Sequence, residues 1–192
     1  MRRLLLALPF ALLPLATGAA AHSHEHDDHD HAKHGSLDAH EHGAAQLNVV
    51  LDGKVLELQL ESPAMNLVGF EHAAQTDADK AKVAATRSQL EQPQALFGLA
   101  AGDCNVSKQE LQSPLFTEHS HNDHHEHGKD SEHSDIHAHY SLDCQKPEEL
   151  KQLNLGELFK RFPATEKIQV QLIGPSGQQG LELTPAQPTL SF

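Results

Sequence analysis

Sixteen of the 17 histidines in this chain fall in two short windows, 22–42 (HSHEHDDHDHAKHGSLDAHEH) and 119–139 (HSHNDHHEHGKDSEHSDIHAH). The first holds His22, His24, His26, His29, His31, His34, His40 and His42; the second holds His119, His121, His124, His125, His127, His133, His137 and His139. An imidazole with a pKa of about 6.5 is mostly neutral just above pH 7 and offers a lone pair to a divalent transition metal. Aspartate and glutamate alternate with the histidines, so each window presents nitrogen and oxygen donors together with a negative field that concentrates cations. That chemistry is the binding of a divalent transition metal, and Zn2+, Cu2+ and Ni2+ all suit these donors.

Other readings of these residues are blander. A histidine-rich start can be an expression tag, but tags are uniform runs. A pH-sensing or merely solubilising segment fits one window better than two separate windows in one chain. His72 stands alone beside Glu71, a pattern more often found on a surface or at a helix cap than at a metal. Cys104 and Cys144, the only cysteines, would supply thiolates only if reduced.

The elements that hold these residues follow from composition and patterning. Met1-Arg2-Arg3, the apolar Leu4 to Leu15 broken by Pro9 and Pro14, and Ala19-Ala20-Ala21 have the layout of a secretory signal peptide over 1–21. The apolar run is too short and proline-broken to span a membrane, and no cysteine follows it to carry a lipid. The expectation is a soluble exported protein starting at His22, with no membrane insertion after cleavage. The formal charge of −13 becomes two units more negative when Arg2 and Arg3 are removed, which argues against nucleic acid or an anionic lipid surface as a partner.

In an oxidising compartment the even cysteine pair is expected to form a disulfide. With two methionines in the chain, soft Cu(I) chemistry is disfavoured. Residues 22–42 have almost no apolar side chain and dense charge, so a disordered tract is expected there. Residues 43–192 are expected to form a single domain, with a histidine-rich loop inserted at 117–135.

Within that domain, Ala45 to Leu51 and Lys54 to Glu61 are predicted strands joined at Asp52-Gly53. Asp77 is the predicted cap of a helix to about Glu91, stopped by Pro93, with a further turn over Gln94 to Leu99. Cys104 to Leu111 is a predicted strand. Ile136 to Cys144 alternates apolar with polar residues and is another. Antiparallel pairing with Cys104 opposite Cys144 would set Val106 against Leu142 and Lys108 against Tyr140, with the histidine loop at the hairpin's far end. The disulfide would then close a loop of about 40 residues, worth roughly 4 kcal/mol in the chain-entropy model.

Pro147 is predicted to open a helix through about Leu153, and Leu155 to Phe162 to form another. Glu166 to Ile173 and Gly180 to Leu183 are predicted strands, with a short one at Thr189 to Phe192. The order predicts an α+β domain, a largely antiparallel sheet with two helical segments.

On a strand, His137 and His139 share a face about 6.5 Å apart along the backbone, close enough for rotamers to bring both to one ion. His40 and His42 form a similar pair before the first strand. Zinc takes about four ligands, and the remaining histidines of the loop are expected to complete its shell. Ordering a flexible segment opposes binding, so several exchangeable sites are expected in place of one preorganised site. No catalytic constellation is present: Gly-x-Ser-x-Gly, His-Glu-x-x-His and a glycine-rich phosphate loop are all missing, so an enzyme is not expected.

The segments HEHGAAQLNVVLDGKVLELQLESPAMNLVGFEH (His40 to His72), SDIHAHYSLDC, LFKRFP and LIGPSGQQGLELTP resemble the ZrgA family of zinc-regulated exported proteins. Their order along the chain, with a variable histidine-rich loop between two cysteine-bearing strands, carries the resemblance. It implies a periplasmic zinc-binding protein that assists zinc acquisition, with 119–139 as its main metal tract. The function expected is a buffer or chaperone passing Zn2+ to an ATP-driven zinc importer or its binding protein. The alternatives are a sequestrant for copper or nickel tolerance, or the importer's own solute-binding receptor, for which the chain is short.

Overall fold

The structure, a computed structural model, describes residues 41–117 and 134–192. The expected leader, the tract through His40 with its expected disorder, and residues 118–133 lie outside the described residues.

Alternating apolar residues produce the first hairpin. β1 (Ala44–Asp52) buries Ala45, Leu47, Val49 and Leu51, and β2 (Val55–Pro63) buries Leu56, Leu58 and Leu60, so each strand has one greasy face and one wet one. Their register runs from Gln46 opposite Glu61 to Asp52 opposite Val55. The two-residue loop is therefore Gly53-Lys54, one position later than the predicted Asp52-Gly53. Gly53 has φ of 57° and occupies the first loop position, where a hairpin turn of the II′ kind calls for glycine.

Next come the one-turn α1 (Ala64–Leu67), α2 (Asp77–Leu90) and the one-turn α3 (Pro93–Leu96). The cap of α2 is Thr76 instead of Asp77. Its side chain accepts from the Asp79 N–H while the Asp79 carboxylate accepts from the Thr76 N–H, a reciprocal capping box that a Thr-x-x-Asp spacing supports. β3 (Cys104–Gln112) and β4 (Asp135–Cys144) pair antiparallel as predicted, with Cys104 opposite Cys144 and Val106 opposite Leu142. A bulge after Val106 then shifts the register, so Lys108 faces Ser141 and Gln109 faces Tyr140, correcting the predicted pairing of Lys108 with Tyr140. The cysteines form a disulfide, S–S 2.06 Å.

The helix predicted from Pro147 is absent. Pro147–Glu149 makes a single 3-10 turn, and Gln152–Asn154 forms a strand, β5, that pairs with β8 (Thr189–Ser191). Tertiary pairing overrides local helix propensity here: Leu153 is fully buried and the Asn154 N–H donates to the Phe97 carbonyl at 3.1 Å. α4 (Gly156–Arg161), β6 (Lys167–Gly174) and β7 (Gly177–Leu183) complete the domain. There are thus four helices among the described residues, two of them single turns, where two helical segments were expected.

Six strands form one mixed sheet in the order β3-β4-β2-β1-β6-β7, antiparallel except where β1 runs parallel to β6. One face packs its apolar residues beneath the helices. Tyr140 lies at the centre of this core, its ring edge-on to Phe97 at 5.8 Å and its hydroxyl donating to the Leu90 carbonyl at 2.8 Å. Burial pushes the Tyr140 phenol above its usual range, so it remains a donor. The other face carries polar side chains. Among the described residues no helix is long and apolar enough to cross a membrane.

Candidate metal centre

The open face takes its chemistry from β2 and β4. Their antiparallel register places Glu57 opposite Ser141, Gln59 opposite His139 and Glu61 opposite His137. Because alternate residues share a face, the carboxylates of β2 and the imidazoles of β4 meet across adjacent strands. His137 and His139 stand on this face as the alternation predicted.

Each of the two histidines has carboxylate partners of its own. His137 joins Glu61 and Asp135, with one ligand atom from each lying within 4.8 Å of the others. Its Nδ1 is 3.9 Å from Glu61 Oε2, and both side chains are about half exposed, 52% and 51%. Ligand atoms around a tetrahedral zinc are roughly 3.4 Å apart, so His137 and Glu61, at 3.9 Å, must close by about 0.5 Å, a shift that two exposed side chains make easily. One imidazole and two carboxylates are a donor set that zinc accepts; Asp135 is half-buried, and the exposure of Glu61 and His137 leaves coordination positions open to water or to further ligands.

His139 turns instead to Glu57, its Nε2 donating to Oε2 at 2.9 Å, while the other carboxylate oxygen accepts from the Ser141 hydroxyl at 2.6 Å. A shallow furrow of about 190 Å³ runs between the two histidines, lined by Gln46, Asn48, Gln59, Glu61, His137 and His139. On the neighbouring strand, Glu110 lies opposite His139, and its carboxylate is 3.6 Å from the Lys108 ammonium. With Glu57, Glu61 and Asp135 it keeps this part of the sheet negative. A larger recess of about 560 Å³ among Ala95, Gly98, Glu149, Lys151 and Glu157 has no imidazole and is a poor place for a transition metal.

His42 pairs with a carboxylate as well, Nε2 to Glu71 Oε1 at 3.0 Å; its expected partner His40 lies outside the described residues. His72 stacks on Phe70 at 4.6 Å and its Nδ1 donates to the Ala73 carbonyl at 3.0 Å, the surface role expected of it. The remaining candidates, His22, His24, His26, His29, His31, His34, His119, His121, His124, His125, His127 and His133, lie outside the described residues.

Both windows nevertheless reach the fold at one end of the sheet. His42 precedes β1, and Ser134 precedes β4. The Ser134 carbonyl accepts from the Ala64 N–H at 2.8 Å and its hydroxyl donates to the Glu71 carbonyl at 3.0 Å, which fixes the chain beside Asp135.

Glu57, Glu61 and Asp135 were not among the predicted ligands. The signal was present in the period-two spacing of 57, 59 and 61 and of 135, 137 and 139. It became legible only with the pairing of β2 to β4, which joins residues 82 apart in the chain.

No curated protein matches the chain. The family model described as ZrgA family zinc uptake protein matches residues 39–192, which takes in every described element, both cysteines and the Glu61, Asp135 and His137 trio. The chain belongs to the ZrgA family of zinc uptake proteins.

Proposed function

We propose that this protein is a periplasmic zinc buffer or chaperone that captures Zn2+ at exchangeable histidine and carboxylate sites and passes it to an importer. The observation that carries the reading is the Glu61, Asp135 and His137 trio, a nitrogen and oxygen donor set shared between β2 and β4, the strand into which the second histidine window runs. The windows supply many further donors, and the folded face supplies one fixed set. Exposed ligands exchange readily, which suits delivery more than storage. The donor set alone does not separate zinc from copper or nickel, since imidazole sites take Cu2+ at least as well. Family membership favours zinc.

Calorimetric titration of the full chain with Zn2+ tests this. More than one equivalent is expected, falling steeply below about pH 6 as protons compete for imidazoles. H137A is expected to weaken the tightest equivalent at least tenfold. A chain that takes up no zinc at mildly alkaline pH, or that responds only to excess copper or nickel in expression and growth assays, overturns the proposal. Low-zinc growth of a deletion strain and fractionation of the periplasm test acquisition and location.

A further inference from the structure

We infer that His139 is a ligand of the same ion, and that Glu57 and Ser141 are the residues that position it. The inference rests on the metal-binding role proposed for His137, Glu61 and Asp135.

The trio supplies three donors, and a four-coordinate zinc asks for one more. His139 follows His137 by two positions on the same strand, on the same face, and both line the same furrow. A carboxylate has no proton to give, so the 2.9 Å contact with Glu57 requires that Nε2 carry the hydrogen. In the neutral ring Nδ1 then holds the lone pair. Glu57 is itself fixed, because its second oxygen accepts from Ser141 at 2.6 Å. An imidazole that donates one N–H to an anchored carboxylate and keeps the other nitrogen for a metal is the arrangement by which proteins set the tautomer and raise the basicity of a histidine ligand. The pair is partly sheltered, 37% and 32% exposed. Glu57 therefore acts through His139 and does not touch the ion.

The test uses the full-length chain with the tract histidines at 22–40 and 119–133 replaced by asparagine, so that zinc titration reports the folded face. One Zn2+ per chain is expected, weakened at least tenfold by H139A. E57A is expected to cost about 10- to 100-fold, the range usual for a partner behind a histidine ligand, with S141A smaller and E57Q partly restoring affinity because its amide oxygen still accepts from Nε2. E57A added to H139A should cost nothing more. With cobalt as the probe, H139A is expected to change the visible absorption of the bound ion.

Three results overturn the inference: H139A without effect on zinc affinity, E57A weakening the H139A protein as much as the parent, or two ions bound with one lost in H139A. The reading of His137 fails by a different result, an H137A protein that binds zinc as tightly as the parent. Thermal unfolding of each variant, read beside its zinc affinity, separates a loss of ligand from a loss of fold.

Discussion

Glu61 is an exposed carboxylate near the end of β2 on the sheet's wet face, so its loss should be felt by the metal more than by the fold. Glu61→Gln keeps size and hydrogen bonding but removes the anionic ligand. Zinc affinity is expected to fall at least tenfold, about 1.4 kcal/mol, with unfolding stability changed by no more than about 0.5 kcal/mol. Calorimetry and a thermal melt on the same sample check both halves, and a parallel fall in stability would make Glu61 a structural residue. At this scale the sequence was informative about histidine and silent about its partners. The alternation around Ile136, Ala138 and Tyr140 was enough to place His137 and His139 on one face. Nothing local indicated that Glu57 would hold His139 or that Asp135 would join His137.

Among the elements, the one-turn α1 has a role its length does not suggest. Asn66, 2% exposed, accepts from the Gly43 N–H at 2.7 Å and donates to the Ala44 carbonyl at 2.8 Å and the Ser62 hydroxyl at 3.1 Å. It ties the start of β1 to the end of β2, where Glu61 sits. Asn66→Ala leaves those buried groups without their partner and is expected to cost about 2–3 kcal/mol in urea unfolding. Zinc binding should weaken with it as the strand ends loosen. The elements set by local pattern were legible: the first hairpin, α2, and the two cysteine-bearing strands. The misses have separate causes. The bulge after Val106 depends on how two strands accommodate one another. The strand at Gln152 to Asn154 exists because Thr189 to Ser191 arrives from the far end of the chain to pair with it. The parallel contact of β1 with β6 joins segments more than a hundred residues apart, a distance over which periodicity says nothing.

At the scale of the whole molecule, the sheet is a platform with a dry side beneath the helices and a wet side bearing Glu61, Asp135 and His137. The disulfide spans β3 and β4 at the end opposite Asp135 and closes a loop with a sequence separation of 40. Cys104→Ser with Cys144→Ser is expected to lower unfolding stability by roughly 4 kcal/mol or less, through the freedom returned to the unfolded chain. The zinc stoichiometry should stay unchanged, because disulfide sulfurs are not thiolate donors. Urea denaturation and zinc titration of the double variant check this, and thiol labelling of the denatured, unreduced parent should find no free cysteine.

The placement of the second histidine window between neighbouring strands has a bearing on how such a protein changes over time. The chain leaves the sheet after Gln112 and re-enters at Asp135, strands that already lie side by side, while Phe116 beneath Arg87 and Ser134 on Glu71 hold the two points of exit and return. Lengthening the intervening stretch does not move either point, and doubling it adds only about 0.6 kcal/mol of closure entropy. The number of histidines there can therefore grow or shrink by simple insertion and deletion, leaving the scaffold and the side chains on its open face untouched.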